Sequence, residues 1–150
     1  MVAKKMIRIR KALAPDLPEV MAIEQSSFAS PWNMAFFRHE LYNPVAFFYI
    51  IEVGVKLAGY IIFWIFKDEA HIANLAIHPE YRKRGYGEYL FKWSLEFIRN
   101  KKVATVTLEV NEKNLSARGL YEKYGFKMVG RRVKYYKNSD DALILTKVIV

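Results

Sequence analysis

Several short stretches of the chain alternate apolar and polar residues, a period of two that is typical of half-exposed β-strands. The first covers residues 6–13 and alternates apolar with basic side chains. Two runs rich in β-branched and aromatic residues, 45–53 and 57–67, surround a turn at Gly54 and predict an antiparallel hairpin. Further strands are predicted at residues 70–78, 103–110, 126–136 and 142–149.

A spacing near 3.6 residues predicts helices between these strands. The apolar residues after Asp16 predict a first helix, and residues 30–33 (Ser-Pro-Trp-Asn) separate it from a second. The strongest helical pattern covers residues 90–98, and a last helix is predicted at 116–124 with Gly125 as its C-cap. The predicted order, βααβββαβαββ, describes one α/β domain over residues 1–150, with a mixed, largely antiparallel sheet flanked by helices.

Composition excludes several classes of protein. The 150 residues are 53% hydrophobic and 26% charged, which is the usage of a globular domain. Because there is no cysteine, we expect no disulfide, thiolate zinc site or cysteine acyl-enzyme, and we expect a cytoplasmic protein. The longest apolar run, 57–66, is shorter than the ~20 residues that a membrane span needs, and no targeting segment is visible. No metal site is predicted, because metal-ligand spacing is absent among the histidines His39, His71 and His78.

The charge balance is strongly basic. Lysine and arginine number 24 against 15 aspartate and glutamate residues, which gives a formal net charge of +9. Such a surplus favours polyanionic partners: nucleic acid, the ribosome, an anionic membrane or a phosphorylated cofactor. A solvated basic surface would give the same count, so charge alone does not choose between these interpretations.

A basic, glycine-containing loop follows the strand at 70–78. Residues 82–87 read Arg-Lys-Arg-Gly-Tyr-Gly and lead directly into the strongest helix. Glycines let main-chain N–H groups approach an anion closely, and the helix N-terminus adds partial positive charge. The loop therefore predicts a pyrophosphate site, although a basic turn at the end of a strand would look similar.

A carboxylate between apolar neighbours is the second candidate. Glu109 lies between Leu108 and Val110 in a predicted strand. Burial there would raise its pKa toward neutrality and suit it to general-base catalysis, whereas an outward-facing carboxylate would simply be solvated. Further along, Asn114 is placed to cap a helix, and Tyr121 would by pattern alone be a core or rim aromatic.

Taken in chain order, these motifs resemble the GNAT acyltransferase superfamily. The loop at 82–87 is similar to its acyl-CoA pyrophosphate motif, the strand at 74–79 to its central strand, and residues 108–126 to its later motif. Within the superfamily the chain most resembles RimI-type N-terminal protein acetyltransferases and their archaeal relatives. That likeness rests on Ile23-Glu24, Ser27-Phe28, Pro31-Trp32, Tyr135-Tyr136 and Asp141-Ala142.

The resemblance implies a GNAT fold, acetyl-CoA as cosubstrate and a set of cofactor contacts. It implies that the pantetheine arm and the acetyl carbonyl bind to main-chain groups of Leu75, Ala76 and Ile77, and that Asn114 also contacts this arm. It assigns the pyrophosphate to the loop and the first helical turn: Arg82, Lys83, Arg84, Gly85, Tyr86, Gly87 and Glu88. No metal is implied.

The same resemblance implies the catalytic roles. Glu109 matches the general base, acting through water, and Tyr121 matches a cofactor contact and general acid that protonates the leaving thiolate. Tyr135 and Tyr136 are implied to lie near the acceptor amine, opposite the loop from Phe28 to Trp32. The chain departs from a eukaryotic relative's pattern because residues 28–33 lack a glutamate, so its preference for the first acceptor residue should differ.

The implied activity is acetyl transfer to the N-terminal α-amine of proteins, including ribosomal proteins, by direct attack in a ternary complex. Elementary acid–base chemistry favours this acceptor, because an α-amine with a pKa of ~7.7–8.0 is partly neutral at pH 7 and a lysine is almost wholly charged. Acetylation of a small-molecule amine or a lysine side chain remains an alternative. A non-enzymatic module that binds nucleic acid or the ribosome is another, and the basic stretches at 4–11 and 127–137 could dock there.

Overall fold

The computed structural model describes residues 6–149 and confirms the predicted order of elements. Within this range the chain forms seven strands and four α-helices, together with short 3₁₀ turns before α1 and α3. Their bounds are β1 Ile7–Lys11, α1 Leu17–Ser27, α2 Met34–Tyr42, β2 Ala46–Val53, β3 Lys56–Phe66, β4 Glu69–Ile77, α3 Tyr86–Asn100, β5 Thr105–Asn111, α4 Leu115–Lys123, β6 Lys127–Arg132 and β7 Ala142–Val148.

The described strands form one sheet in the order β1-β2-β3-β4-β5-β7-β6. Every neighbouring pair is antiparallel except β4 and β5, which are parallel. A parallel pair needs a crossover connection, and α3 provides it. The predicted mixed, largely antiparallel sheet is therefore confirmed.

Both faces of the sheet are covered by apolar clusters. On one face α3 contributes Leu90, Phe91 and Ile98, which pack on the central strands. On the other face α1 and α2 contribute Val20, Ile23 and Phe37. The helices thereby hold the central strands β4 and β5 in place, and the candidate site lies where these two strands separate.

The sheet departs from the sequence prediction after β6. Residues 126–136 were expected to be one strand, but β6 ends at Arg132 and the next residues turn. Lys134 adopts a left-handed φ of 53° and donates its backbone N–H to Asp141 Oδ1 at 2.9 Å. The alternating sequence pattern continues through Tyr135 and Tyr136, but these residues belong to a loop. The Asp141 side chain holds this loop through its bond to the Lys134 N–H.

One close approach in the sheet gives a stability prediction. A Cβ placed on Gly59 in β3 would lie 2.7 Å from the Ala76 carbonyl oxygen and 2.5 Å from Ile77 Cδ1. Because a backbone oxygen cannot rotate away, Gly59→Ala should lower the free energy of unfolding by about 3 kcal/mol, measured by urea denaturation.

The matched control for that measurement is Gly119→Ala in α4. A Cβ there would meet nothing within 4 Å. This variant should be as stable as the wild type or more stable by about 0.5–1 kcal/mol, because alanine favours a helix over glycine. Equal stability of Gly59→Ala and the wild type would contradict the packing of β3 against β4 described here.

Candidate active site

Strands β4 and β5 diverge and open a groove at the centre of the sheet. They pair only over residues 69–72 and 105–108, and β4 then continues along β3 alone. The end of β4, residues 73–77, therefore lines a groove of about 1330 Å³. Main-chain groups along such an unpaired edge are available to another chain or ligand.

The groove brings together most of the residues that the sequence analysis named. Its lining includes Phe28, Trp32, Leu75, Ala76, Ile77, Arg82, Lys83, Gly85, Gly87, Glu88, Glu109, Asn114, Tyr121, Tyr135 and Tyr136. The lining does not include Arg84 or Tyr86. The Arg84 guanidinium lies 5.8 Å from the centre of the Tyr81 ring, and the Tyr86 ring packs 5.9 Å from the same ring.

The loop after β4 has the backbone shape that its glycines predict. Lys83 and Gly85 adopt left-handed φ angles of 61° and 87°, and Gly85 immediately precedes α3. The first N–H groups of a helix have no partner inside it and, with the helix dipole, they favour an anion. The loop can therefore hold a phosphate through main-chain donors.

Two charged side chains of this segment fasten the groove together. Arg82 donates through Nε to the Ile77 carbonyl at 3.0 Å and through Nη2 to Ser27 Oγ at 2.9 Å, so it joins β4 to the end of α1. The Glu88 carboxylate accepts from Lys123 Nζ at 2.7 Å and from the Tyr124 hydroxyl at 2.8 Å. These contacts join α3 to α4 and lower the pKa of Glu88.

The Glu109 carboxylate is partly buried on β5 and faces basic groups. Its Oε1 lies 3.6 Å from His71 Nε2 and 3.8 Å from Arg132 Nε. The interaction with His71 lowers the pKa of Glu109, burial opposes this effect, and the charge of Arg132 adds to it. The expectation that burial would raise this pKa toward neutrality is therefore wrong, because the neighbouring bases outweigh desolvation. At neutral pH Glu109 is an ionised proton acceptor.

His71 is the site residue that sequence reasoning missed. His71 lies on β4 opposite Thr107 of β5. Thr107 precedes Glu109 by two residues, so the side chains of Thr107 and Glu109 point to the same face of the sheet. The spacing of the histidines along the chain does not reveal this pairing. The parallel register of β4 and β5 alone brings the two side chains together.

The Tyr121 phenol lies on α4 among aromatic rings. Its ring centre is 5.1 Å from that of Phe91 and 6.1 Å from that of Phe126. Burial raises the pKa of Tyr121 to about 12, so the hydroxyl stays protonated at neutral pH. It lines the same groove as Glu109. The groove thus offers Glu109 as a proton acceptor and Tyr121 as a proton donor.

A comparison with protein families identifies the family to which this chain belongs. The model of the Acetyltransferase (GNAT) family matches residues 17–126, which include the divergent strands, the loop after β4, Glu109 and Tyr121. The chain is a member of the GNAT acetyltransferase family. Enzymes of this family use acetyl-CoA.

Curated relatives of this acetyltransferase cover nearly its whole length. A Bacillus subtilis protein, provisionally named a [ribosomal protein bS18]-alanine N-acetyltransferase, is 44% identical over 91% of this chain and 92% of its own. The Escherichia coli [ribosomal protein bS18]-alanine N-acetyltransferase is 34% identical over 87% and 89%. An N-alpha-acetyltransferase of Sulfurisphaera tokodaii is 30% identical over 94% and 92%.

A solved structure confirms the fold of the acetyltransferase. The crystal structure of the ribosomal-protein-S18-alanine N-acetyltransferase from Escherichia coli superposes with a TM-score of 0.90 at 31% identity. The superposition covers 96% of this chain and 94% of that one. The predicted GNAT fold and RimI-type likeness are therefore confirmed.

Two loops form aromatic walls of the acetyltransferase groove. Phe28 and Trp32 come from the α1–α2 loop, and Tyr135 and Tyr136 from the β6–β7 loop. The two tyrosine rings meet edge to face at 5.1 Å, and the Arg132 guanidinium lies 5.7 Å from the Tyr135 ring centre. Burial, followed by the Glu109 charge, raises the pKa of Tyr136 to about 12, so this phenol is also neutral.

Two aspartates hold the β6–β7 wall in place. Asp140 accepts hydrogen bonds from Lys113 Nζ at 2.8 Å and from Asn111 Nδ2 at 3.0 Å. Asp141 accepts from Arg131 Nη1 at 2.7 Å and so ties the strand to the loop. The tyrosine wall is thereby anchored to the end of β5 that carries Glu109.

Asn114 caps α4, since its Oδ1 accepts from the Ala117 N–H at 3.2 Å, and it also lines the groove. Within residues 6–149 there is no cluster of three or more His, Asp or Glu side chains suited to a metal. None of the helices formed by these residues has the length and apolar character needed to span a membrane.

Gly87 gives a test of the phosphate loop that leaves the fold intact. A Cβ at this position would lie 3.4 Å from Ile77 Cγ1, an ordinary contact, but it would add bulk to the groove wall. We expect Gly87→Ala to weaken CoA binding about tenfold in calorimetric titration, because a methyl group hinders close approach of the pyrophosphate. The melting temperature should not fall, and unaltered CoA affinity would assign the loop another role.

Proposed function

We propose that this acetyltransferase acetylates the N-terminal α-amine of proteins, by direct attack of the amine on acetyl-CoA in a ternary complex. The observation that carries the proposal is one groove lined by an ionised carboxylate, a protonated phenol and two aromatic walls. The names of the bacterial and archaeal relatives support the same acceptor class. We further propose an alanine-initiated ribosomal protein as acceptor, which would make this a cytoplasmic enzyme.

The groove suits acetyl-CoA in size and in chemistry. The unpaired end of β4 offers main-chain donors and acceptors to the pantetheine arm, and the loop before α3 offers N–H groups to the pyrophosphate. Lys83, in the groove lining, adds a full positive charge at this end. Acetyl-CoA, when bound, supplies an activated thioester carbonyl and a thiolate leaving group.

The proton transfers follow from the states of Glu109 and Tyr121. The neutral fraction of the α-amine carries a free lone pair, and Glu109 accepts, directly or through water, the proton that this nitrogen gives up on attack. A C–N bond then forms as the C–S bond breaks. Tyr121 gives its hydroxyl proton to the departing sulfur, and the proton released from the acceptor restores the phenol. A main-chain N–H of residues 75–77 polarises the carbonyl.

His71 acts through Glu109 in this scheme. Its Nε2 lies close to the carboxylate and helps to keep it ionised, so the carboxylate is available near neutral pH to accept a proton from the attacking nitrogen. Because the α-amine has a pKa of ~7.7–8.0, a weak base of this kind suffices for it, whereas lysine would need a far stronger one.

A polycationic small-molecule acceptor is a weaker candidate. Such substrates favour an acidic groove, but the acceptor end here carries Arg132 beside Glu109, and Lys134 and Lys137 are exposed on the adjoining loop. The same exposed cations support ribosome docking as an additional property. Arg131 contributes less to it, because Glu112 and Asp141 already compensate its charge. The other basic stretch, 4–11, lies partly outside the described residues.

The proposal is tested by acetyl transfer to a panel of acceptors. The panel contains short peptides with free N-termini starting Ala, Ser, Met and Glu, N-blocked peptides with an internal lysine, and polyamines. Transfer to free N-termini alone, with alanine preferred, is the expected result. Transfer to lysine or polyamines alone would overturn the proposed acceptor class. CoA binding without transfer to any acceptor would overturn the proposal.

Ribosome docking needs a separate measurement. Sedimentation with ribosomes at low salt should retain the wild-type protein, and the Lys127→Glu/Lys134→Glu/Lys137→Glu variant should stay in the supernatant. Both proteins should acetylate free peptides at similar rates. No retention of the wild type at low salt would reject docking without affecting the proposed chemistry.

A further inference from the structure

Glu24, on α1, is a buried carboxylate that the proposed chemistry does not use. Its relative exposure is 1%, although it lies only four residues before Phe28 in the acceptor wall. Burial of an ionisable group is costly unless hydrogen bonds satisfy it. The position therefore calls for a role beyond filling space.

Three donors from three different segments converge on this carboxylate. Oε2 accepts the Trp32 backbone N–H at 2.9 Å, from the α1–α2 loop. Oε1 accepts Asn74 Nδ2 at 2.6 Å, from β4, and also the Tyr60 hydroxyl, from β3. One side chain thus joins the acceptor wall to the strand that lines the cofactor side of the groove.

The Asn74 amide extends this link to the main chain of β4. While its Nδ2 donates to Glu24, its Oδ1 accepts the Leu75 backbone N–H at 3.1 Å. Because the two ends of an amide differ, the bond to Glu24 fixes which end faces Leu75. Glu24 therefore fixes the position of the Trp32 loop relative to β4. It also fixes the orientation of the Asn74 amide at the end of β4 that diverges from β5.

We propose that Glu24 is a positioning residue that holds the acceptor wall at a fixed distance from the acyl-binding end of β4. This inference rests on the proposed function, since it assigns the Phe28–Trp32 loop to the acceptor. Acceptor recognition depends on this distance, because the amine must reach the thioester within about 3–3.5 Å. Cofactor binding depends on it less, because it also uses the loop at 82–88 and the main chain of residues 76 and 77, which lie outside this hydrogen-bonded network.

Glu24→Gln tests the link with almost no change in shape. Three donors need acceptor atoms on both carboxylate oxygens, and a glutamine replaces one of those oxygens with another donor. If the new NH2 faces Trp32, the loop loses its anchor. If it faces Asn74, that amide loses its partner. Either arrangement loosens the wall, and neither removes a group that contacts substrate.

The control is Asp16→Asn, a carboxylate at the opposite end of α1. Asp16 accepts hydrogen bonds from Arg10 at 2.9 Å and from the Leu13 N–H at 2.7 Å, and its side chain is 12% exposed. It does not line the groove. This variant measures the general cost of neutralising a hydrogen-bonded carboxylate next to the same helix.

The kinetic readout is the division of the effect between KM and kcat. For an alanine-initiated peptide we expect Glu24→Gln to raise KM about tenfold, with kcat and the KM for acetyl-CoA changed less than about threefold. Asp16→Asn should lower the melting temperature and leave both KM values unchanged. Equal effects of the two variants on the peptide KM would reduce Glu24 to a structural role and overturn the proposal.

Hydrogen exchange supplies a readout that needs no acceptor. The Trp32 amide should exchange at least about tenfold faster in Glu24→Gln than in wild type, while amides at the centre of β3 keep their protection. If wild type acetylates no peptide N-terminus, the proposed function fails, but this measurement still tests the anchor. An unchanged Trp32 exchange rate would overturn the positioning role whatever the acceptor is.

Discussion

Glu109→Gln should lower kcat/KM for the acceptor peptide roughly 10²–10³-fold, which corresponds to about 3–4 kcal/mol of transition-state stabilisation. Glutamine keeps the size of the side chain and a hydrogen-bonding oxygen, but it cannot take a proton from the acceptor amine. Steady-state kinetics with an alanine-initiated peptide give the ratio. Calorimetry should find CoA affinity within about twofold of wild type, because the carboxylate acts on the acceptor side of the reaction.

The variant that separates Glu109 from its neighbour is His71→Asn. His71 acts through the carboxylate in the scheme above, so its loss should cost about tenfold or less in kcat/KM. A severe loss in His71→Asn together with a mild loss in Glu109→Gln would assign proton acceptance to the imidazole. That result would reverse the two roles while leaving the acceptor class intact.

The pH dependence of the wild type gives a further prediction. Because its neighbours lower the pKa of Glu109, the carboxylate is already ionised at neutral pH. The rise of kcat/KM with pH should then follow the α-amine of the peptide, with a midpoint near its pKa of ~7.7–8.0. Peptides whose amines differ in pKa should shift the midpoint accordingly. A midpoint that is independent of the peptide would instead indicate titration of an enzyme group.

Local sequence signals predicted the fold well, for a physical reason. Strand and helix periodicity depend on which face of each element is buried, and this is visible within a short window of residues. The loop at 82–87 was also predictable, because Gly85 is required where the backbone adopts a φ of 87° at the start of α3. The strand predicted at 126–136 ran too far, because the turn depends on the Asp141 side chain, which accepts the Lys134 N–H from beyond the predicted strand.

The electrostatics of the site could not be read from the sequence. The pKa of Glu109 depends on His71, which reaches it only through the parallel register of β4 and β5. Likewise, Glu24 and Asn74 are separated by 50 residues yet form one hydrogen-bonded network. Helical spacing predicted α1, on which Ile23 is buried, but nothing local indicated that the adjacent carboxylate of Glu24 would also be buried.

Tyr121→Phe is expected to lower kcat about 10–100-fold while leaving acetyl-CoA affinity within about twofold. The substitution removes only the hydroxyl, and the ring keeps its contacts with Phe91 and Phe126. The loss should be smaller than that of Glu109→Gln, because a thiol with a pKa of about 8.5 leaves moderately well without full protonation. Burial raises the pKa of Tyr121 to about 12, so the hydroxyl carries its proton at neutral pH.

The matched control is Tyr124→Phe, near the same end of α4. Its ring also packs against Phe91, at 5.6 Å, but its hydroxyl donates to Glu88 and the residue does not line the groove. Because this hydroxyl is bonded to Glu88 and Tyr124 does not line the groove, kcat should stay within about twofold of wild type. If kcat and CoA affinity fall together in Tyr121→Phe, the role of Tyr121 is to form the groove wall and not to donate a proton. A fall in kcat alone, absent from Tyr124→Phe, would identify its hydroxyl as the proton donor to the departing thiolate.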